Sequence, residues 1–186
     1  ANESELQHAE DSGALVLVVP TVRYYEEAVR ISDWAFFPPL GDRSAGGGPG
    51  TGARMWGDVP GGYRATINDN LVLILMIETL AGLKDADRIA KIPGVTAVFA
   101  ASGDLGNHSG YRQNDPDYER EINIVHDAAI KAGVRLCGPL AWRDRADFTC
   151  FQAGSETGAI ARGAKAELGN LADTQERPEV GPWARK

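Results

Sequence analysis

The chain has 186 residues, 43% hydrophobic and 24% charged, a balance that suits one folded domain with a substantial core. A formal net charge of −7 argues against nucleic acid or an anionic membrane surface as the main partner. No apolar run approaches the roughly 20 residues of a membrane span and no signal-peptide pattern opens the chain, so a cytoplasmic location is expected.

Short apolar runs alternate with amphipathic stretches along the whole chain. Residues 15–19, 71–77, 95–100 and 134–137, and less clearly 148–153, are apolar on both faces, as suits parallel strands covered on two sides. After the first run, 24–32 reads as a short helix. The Gly/Pro-rich connection at 38–60 is longer than a turn needs, which points to a lid or a loose loop. Residues 79–90 place Leu80, Leu83, Ala86 and Ala90 on one helical face. The clearest helix is 116–132, with Asp115 as cap, Pro116 in the first turn and Gly133 to close it. Its buried stripe is Ile122, Val125, Ala129 and Ala132. A weaker helix at 142–147 and an Ala-rich one at 155–168 complete the pattern. Strands alternating with helices predict a parallel sheet, open or closed into a barrel. The expected division is a β/α domain over 1–169 and a polar tail over 170–186. Cys137 and Cys150 lack a CxxC or zinc-type spacing, which predicts reduced thiols, Cys137 as a small core residue.

In parallel β/α folds reactive groups gather at the carboxyl ends of the strands. Glu78 directly ends the run 71–77. Asp104 follows the next run through Ala101, Ser102 and Gly103, 26 residues on (104 − 78). Two carboxylates at one mouth share a proton or bind a cation. The alternative is two unrelated strand-end acids, one in a cap and one in a salt bridge. With oxygen ligands and no His or Cys cluster, a hard divalent ion, Mg²⁺ or Mn²⁺, is favoured. Backbone N–H groups in the small-residue turn Ala101-Ser102-Gly103 suit a substrate carboxylate. Of the remaining polar residues, Arg43 reads as a loop salt bridge or a contact to substrate or a neighbouring subunit. His108 is an acid–base group at the mouth or an exposed loop histidine. His126 is read as structural, His8 as solvated, and Trp56 and Tyr63 as packing. The run GGGPGTG at 46–52 is not followed by Gly-Lys-Ser/Thr and fails as a phosphate loop.

These motifs carry a resemblance. LMIET at 75–79 followed by GVTAVFAASGDLGNHSG at 94–110 resembles the HpcH/HpaI aldolase family of phosphoenolpyruvate/pyruvate-domain barrels. There one strand ends in (Q/M)IE(T/S) and the next reads GVDGVFIGPxDLS. VVPTV at 18–22 is similar to that family's strand ending in VPMV, FPPLGDRS at 37–44 to its YPPxGxRG segment, and PGGYRATINDN at 60–70 to its helix before the glutamate strand. The resemblance implies a TIM-type (β/α) barrel, incomplete at the N-terminus, with five of the eight strands present. It implies Glu78 and Asp104 as ligands of Mg²⁺ or Mn²⁺, and the N–H groups of Ala101 and Gly103, with Ser102 between them, as the seat of a pyruvate carboxylate. The implied reaction is metal-dependent (class II) aldol cleavage of a 2-oxo acid through a pyruvate enolate, with pyruvate and an aldehyde as partners, in a homo-oligomer. The family's catalytic arginine and histidine are expected upstream of Ala1. Met76 stands where many members have glutamine, and SGD replaces PxD. Two other readings stay open: a citryl- or malyl-thioester lyase on the same metal site, for which no CoA-phosphate cluster is evident, and an inactive remnant or assembly partner.

Overall fold

A computed structural model describes residues 1–45, 54, 58–100 and 103–174 of the chain, the last five of these by backbone alone. The chain divides into two compact units, Ala1–Gln152 and Ala153–Lys186. In the first, helix α1 (Glu3–Asp11) leads into β1 (Val16–Val19), α2 (Tyr25–Ala35), α3 (Gly62–Asn70) and β2 (Val72–Ile77). Then follow α4 (Leu80–Ile89), β3 (Val95–Ala100), α5 (Gly103–Ser109), α6 (Pro116–Ala132), β4 (Arg135–Pro139) and β5 (Phe148–Gln152). The second unit is described by α7 (Glu156–Thr174), longer than the expected 155–168 helix. The segment 46–52, Trp56 and residues 175–186 of the expected tail lie outside the described residues. None of the described helices is long and apolar enough to cross a membrane.

The five strands form one parallel sheet in sequence order, β1-β2-β3-β4-β5. Each is joined to the next through a helical crossover or, for β4 to β5, a short 3₁₀ turn. Consecutive parallel neighbours are the arrangement of staves in a β/α barrel, so the fold expected from the sequence is the one observed. Alternation along each strand sorts side chains between two faces. Leu17, Val19, Leu73, Leu75, Ile77 and Val98 face the helices and are buried. Each such side chain contributes about 1.5–3 kcal/mol through removal from water. The opposite face carries a smaller cluster of Ile74, Ala97, Phe99 and Cys137. There Val16 and Val18 remain about half exposed, and a cavity of about 280 Å³ opens over Phe99, Cys137 and Cys150. Both faces are therefore apolar, one packed on helices and the other carrying this smaller cluster.

Local chemistry explains the helices. Asp115 Oδ1 accepts the N–H of Asp117 at 2.9 Å and Gly133 closes α6 in the left-handed region, as the sequence indicates. Thr79 Oγ1 accepts the N–H of Gly82 and caps α4. Helix α1 has no counterpart in the sequence reading, although Asn2, whose Oδ1 accepts the N–H of Glu5 at 3.0 Å, is an N-cap signal. Three expectations are corrected. Leu80, assigned to the buried stripe of α4, is 45% exposed, and Gly82, Leu83, Ala86 and Ile89 form the buried face instead. The helix expected at 142–147 is only a 3₁₀ turn, Leu140–Trp142. Trp142 is drawn into an edge-to-face contact with Phe148 and Arg145 stacks over it, which overrides the weak helical pattern. Cys137 and Cys150 are not free thiols but a disulfide, because strand register sets them opposite each other on β4 and β5.

Candidate functional site

Strand β2 ends at Ile77, paired with Ala100 at the end of β3. The residues that follow both strands therefore emerge at the same edge of the sheet. Glu78 is the first residue after β2 and is 2% exposed. A buried carboxylate needs donors or a cation, and one residue after β1 supplies donors. The backbone N–H of Thr21 donates to Glu78 Oε1 at 2.6 Å, and the Thr21 hydroxyl donates to the same oxygen at 3.1 Å. Among the described residues, no hydrogen bond reaches Oε2.

Thr21 makes this contact from an unusual conformation, with φ of +55°. A β-branched residue in the left-handed region is a real outlier, costing about 1–3 kcal/mol unless its surroundings hold it. Here they do. The N–H of Val22 donates to the Met76 carbonyl at 3.2 Å, tying the loop to β2. The start of α4 abuts the loop so closely that a Cβ on Gly82 would lie 2.6 Å from the Val22 carbonyl oxygen.

Asp104 lies in the first turn of α5, at the same edge, and is solvent-exposed. Its Oδ1 accepts from Asn107 Nδ2 at 3.3 Å. Gly103 is exposed too, and a Cβ built on it would meet nothing within 4 Å, so its backbone stands open to an incoming group. Ala101 and Ser102 lie outside the described residues. His108 is exposed, its Nδ1 2.7 Å from the Asp104 carbonyl oxygen, so it serves the α5 turn. Among the described residues, no three His, Cys, Asp or Glu side chains come together as a metal-binding group.

The other polar residues singled out from the sequence are structural. Arg43 is 4% exposed, with Nε 2.6 Å from Glu10 and one terminal nitrogen 2.8 Å from Asp11. Its other terminal nitrogen donates to the Tyr63 hydroxyl at 3.0 Å, and the guanidinium lies over the rings of Phe37 and Tyr63. Burial pushes the Glu10 carboxyl up to about 8, with Arg43 pulling against it. His126 sits between Asp127 and Asp147, whose hydrogen bonds raise its pKa against the opposing effect of burial. His8 is exposed on α1. Sequence reasoning missed Thr21, for which the only local signal was a hydroxyl residue directly after a strand-ending proline.

Comparison with known proteins supplies relatives. The family model described as HpcH/HpaI aldolase/citrate lyase matches residues 1–166. A hydroxypyruvate/pyruvate aldolase of Delftia acidovorans is 33% identical over 94% of this chain and 67% of its own length. A 2-keto-3-deoxy-L-rhamnonate aldolase of Klebsiella pneumoniae is 35% identical over 76% of this chain and 57% of its own. A crystal structure of an HpcH/HpaI aldolase/citrate lyase family protein from Burkholderia cenocepacia superposes with a TM-score of 0.77, at 23% identity, over 92% of this chain and 70% of that one. The chain thus spans between about half and two thirds of the length of the curated relatives it matches.

Proposed function

The chain belongs to the HpcH/HpaI aldolase/citrate lyase family, and from that premise we propose that it carries the metal-binding residues of a carbon–carbon lyase acting on 2-oxo acids. One observation carries the reading. Adjacent parallel strands deliver two carboxylates, Glu78 and Asp104, to one edge of the sheet, and Glu78 is buried there with one oxygen held by Thr21. Buried negative charge with a lone pair to spare is what a cation site requires and what a plain core avoids. The donors fit a hard divalent ion such as Mg²⁺ or Mn²⁺, since they are oxygens only and few enough to leave coordination positions for a substrate.

Glu78 and Asp104 would hold that ion, which when bound supplies positive charge to the oxygens of a 2-oxo acid as its carbon–carbon bond breaks. The remaining roles fall to the chain. Thr21 fixes the direction of Glu78. The N–H groups of Ala101 and Gly103, flanking Ser102, receive the carboxylate of pyruvate, and the open space at Gly103 supports that approach. The relatives' names, a hydroxypyruvate/pyruvate aldolase and a 2-keto-3-deoxy-L-rhamnonate aldolase, support an aldolase reaction, and the reaction we propose is reversible cleavage of a 2-oxo acid to pyruvate and an aldehyde through a pyruvate enolate. Assembly into a homo-oligomer belongs to the same proposal.

The test is exchange. With Mn²⁺ present, the protein should exchange the methyl protons of pyruvate with D₂O, followed by NMR, and Glu78→Ala should abolish it. Absence of exchange with the metal demonstrably bound overturns the assignment. Faster turnover of citryl- or malyl-thioesters than of free oxo acids would move the reaction to the thioester class.

A further inference from the structure

We infer that Thr21 is a positioning residue of the metal site, one that commits Glu78 to a single coordinating oxygen and so favours small octahedral cations over Ca²⁺. The inference rests on the reading of Glu78 as a metal ligand and adds to it a specificity device.

Both donors of Thr21, its N–H at 2.6 Å and its hydroxyl at 3.1 Å, converge on Oε1 alone. That oxygen is engaged before any cation arrives, while among the described residues no hydrogen bond engages Oε2. The arrangement is built rather than incidental. Thr21 occupies φ of +55°, a region β-branched residues avoid, and is held there by the Val22-to-Met76 backbone bond and by α4 pressing on the loop at Gly82. Strain kept in place by surrounding contacts is a recurrent mark of a functional position. A backbone N–H is available at any non-proline residue, and the threonine hydroxyl adds the second donor.

The consequence follows from ion chemistry. Mg²⁺ and Mn²⁺ accept one oxygen per carboxylate in a near-octahedral shell, whereas Ca²⁺ takes more ligands and often takes both oxygens of a carboxylate. Pinning Oε1 makes the second mode costly.

Three variants separate the contributions. Thr21→Ser keeps the hydroxyl. Thr21→Val keeps shape and loses it. Thr21→Gly loses it while suiting the positive φ, so it folds without the strain that a Val variant retains. Mn²⁺ and Ca²⁺ dissociation constants are measured by calorimetry for the parent, these three and Glu78→Ala. Ser should match the parent. Val and Gly should bind Mn²⁺ about ten-fold more weakly, the size of effect seen on losing a partner of a metal ligand, with Ca²⁺ affinity unchanged or raised as Oε1 is freed, so the preference narrows by at least that factor. A general loss of structure would weaken both ions together and would overturn the inference. So would parent-like Mn²⁺ affinity in Val and Gly while Glu78→Ala has lost it, and that result leaves Glu78 as a ligand. Equal Mn²⁺ affinity in the parent and Glu78→Ala overturns the underlying metal reading, and the role of Thr21 with it.

Discussion

Replacing Glu78 with glutamine should separate a carboxylate kept for function from one kept for folding. Glu78 is 2% exposed and, among the described residues, its charge is answered by the two bonds from Thr21. Burying a carboxylate costs several kcal/mol after relaxation. The Thr21 bonds return about 1.5–3 kcal/mol each while the acceptor is charged, and about 0.5–1.5 each to a neutral amide oxygen. Glu78→Gln therefore loses roughly 2 kcal/mol of hydrogen bonding and sheds a larger desolvation penalty, for a net stabilisation of about 1–2 kcal/mol. In a chain of this size each 1 kcal/mol moves Tm by about 2–4 °C. Thermal unfolding in EDTA should thus show the variant melting roughly 4 °C above the parent. Addition of Mn²⁺ at 100 times its Kd should stabilise the parent by about 2.7 kcal/mol and leave the variant unmoved, because its amide must turn oxygen to Thr21 and NH₂ toward the cation. A variant less stable than the parent in EDTA, yet still raised by Mn²⁺, would refute the reasoning on both counts.

Gly82→Ala should disturb the same site from behind. Its Cβ would meet the Val22 carbonyl oxygen at 2.6 Å, and overpacking against backbone costs about 1–3 kcal/mol. Denaturant unfolding should show that loss, with weaker Mn²⁺ binding as the Thr21 loop shifts. Arg43→Met should cost about 3 kcal/mol, the lower end for breaking a buried pair, because burial already holds Glu10 largely protonated near neutral pH and no bare charge is left behind. Urea titration checks it. Since burial raises the Glu10 pKa from 4.5 to about 8, the stability this group contributes is fully present below about pH 4.5 and is lost as pH rises through about 8. Glu10→Gln should flatten that slope in melts across the range. Reducing the Cys137–Cys150 disulfide, which closes a separation of 13 residues, should lower stability by about 3 kcal/mol, read as a melting shift with dithiothreitol. Unchanged melting, with both thiols alkylated before reduction, would show the pair unbonded.

The five strands and the strongest helix were legible from one dimension, because period and punctuation are local properties, whereas α1 and the 3₁₀ turn at Leu140–Trp142 were not. Apolar runs at 71–77 and 95–100 could hardly be anything but β2 and β3, and Asp115, Pro116 and Gly133 mark α6 by chemistry that acts within a few residues. The positions of Glu78 and Asp104 were legible for the same reason, since a carboxylate ending an apolar run in a β/α alternation is carried to the sheet edge whatever surrounds it. Contacts between distant segments were not legible. Cys137 meets Cys150 only through the register of β4 on β5, and Arg43 finds Glu10 and Asp11 across 33 and 32 positions (43 − 10 and 43 − 11) only when α1 and the connection after α2 fold together. Thr21 reaches Glu78 across a sequence separation of 57. Its role depends on a backbone angle imposed by α4 and β2, and no residue pattern near position 21 encodes that angle. Local free energies favour helix, strand and cap, so the sequence alone determined the strands, the strongest helix and the acids at the strand ends. Long-range packing decided which of those acids is buried, which of its oxygens is held, and where the strain that holds it is stored.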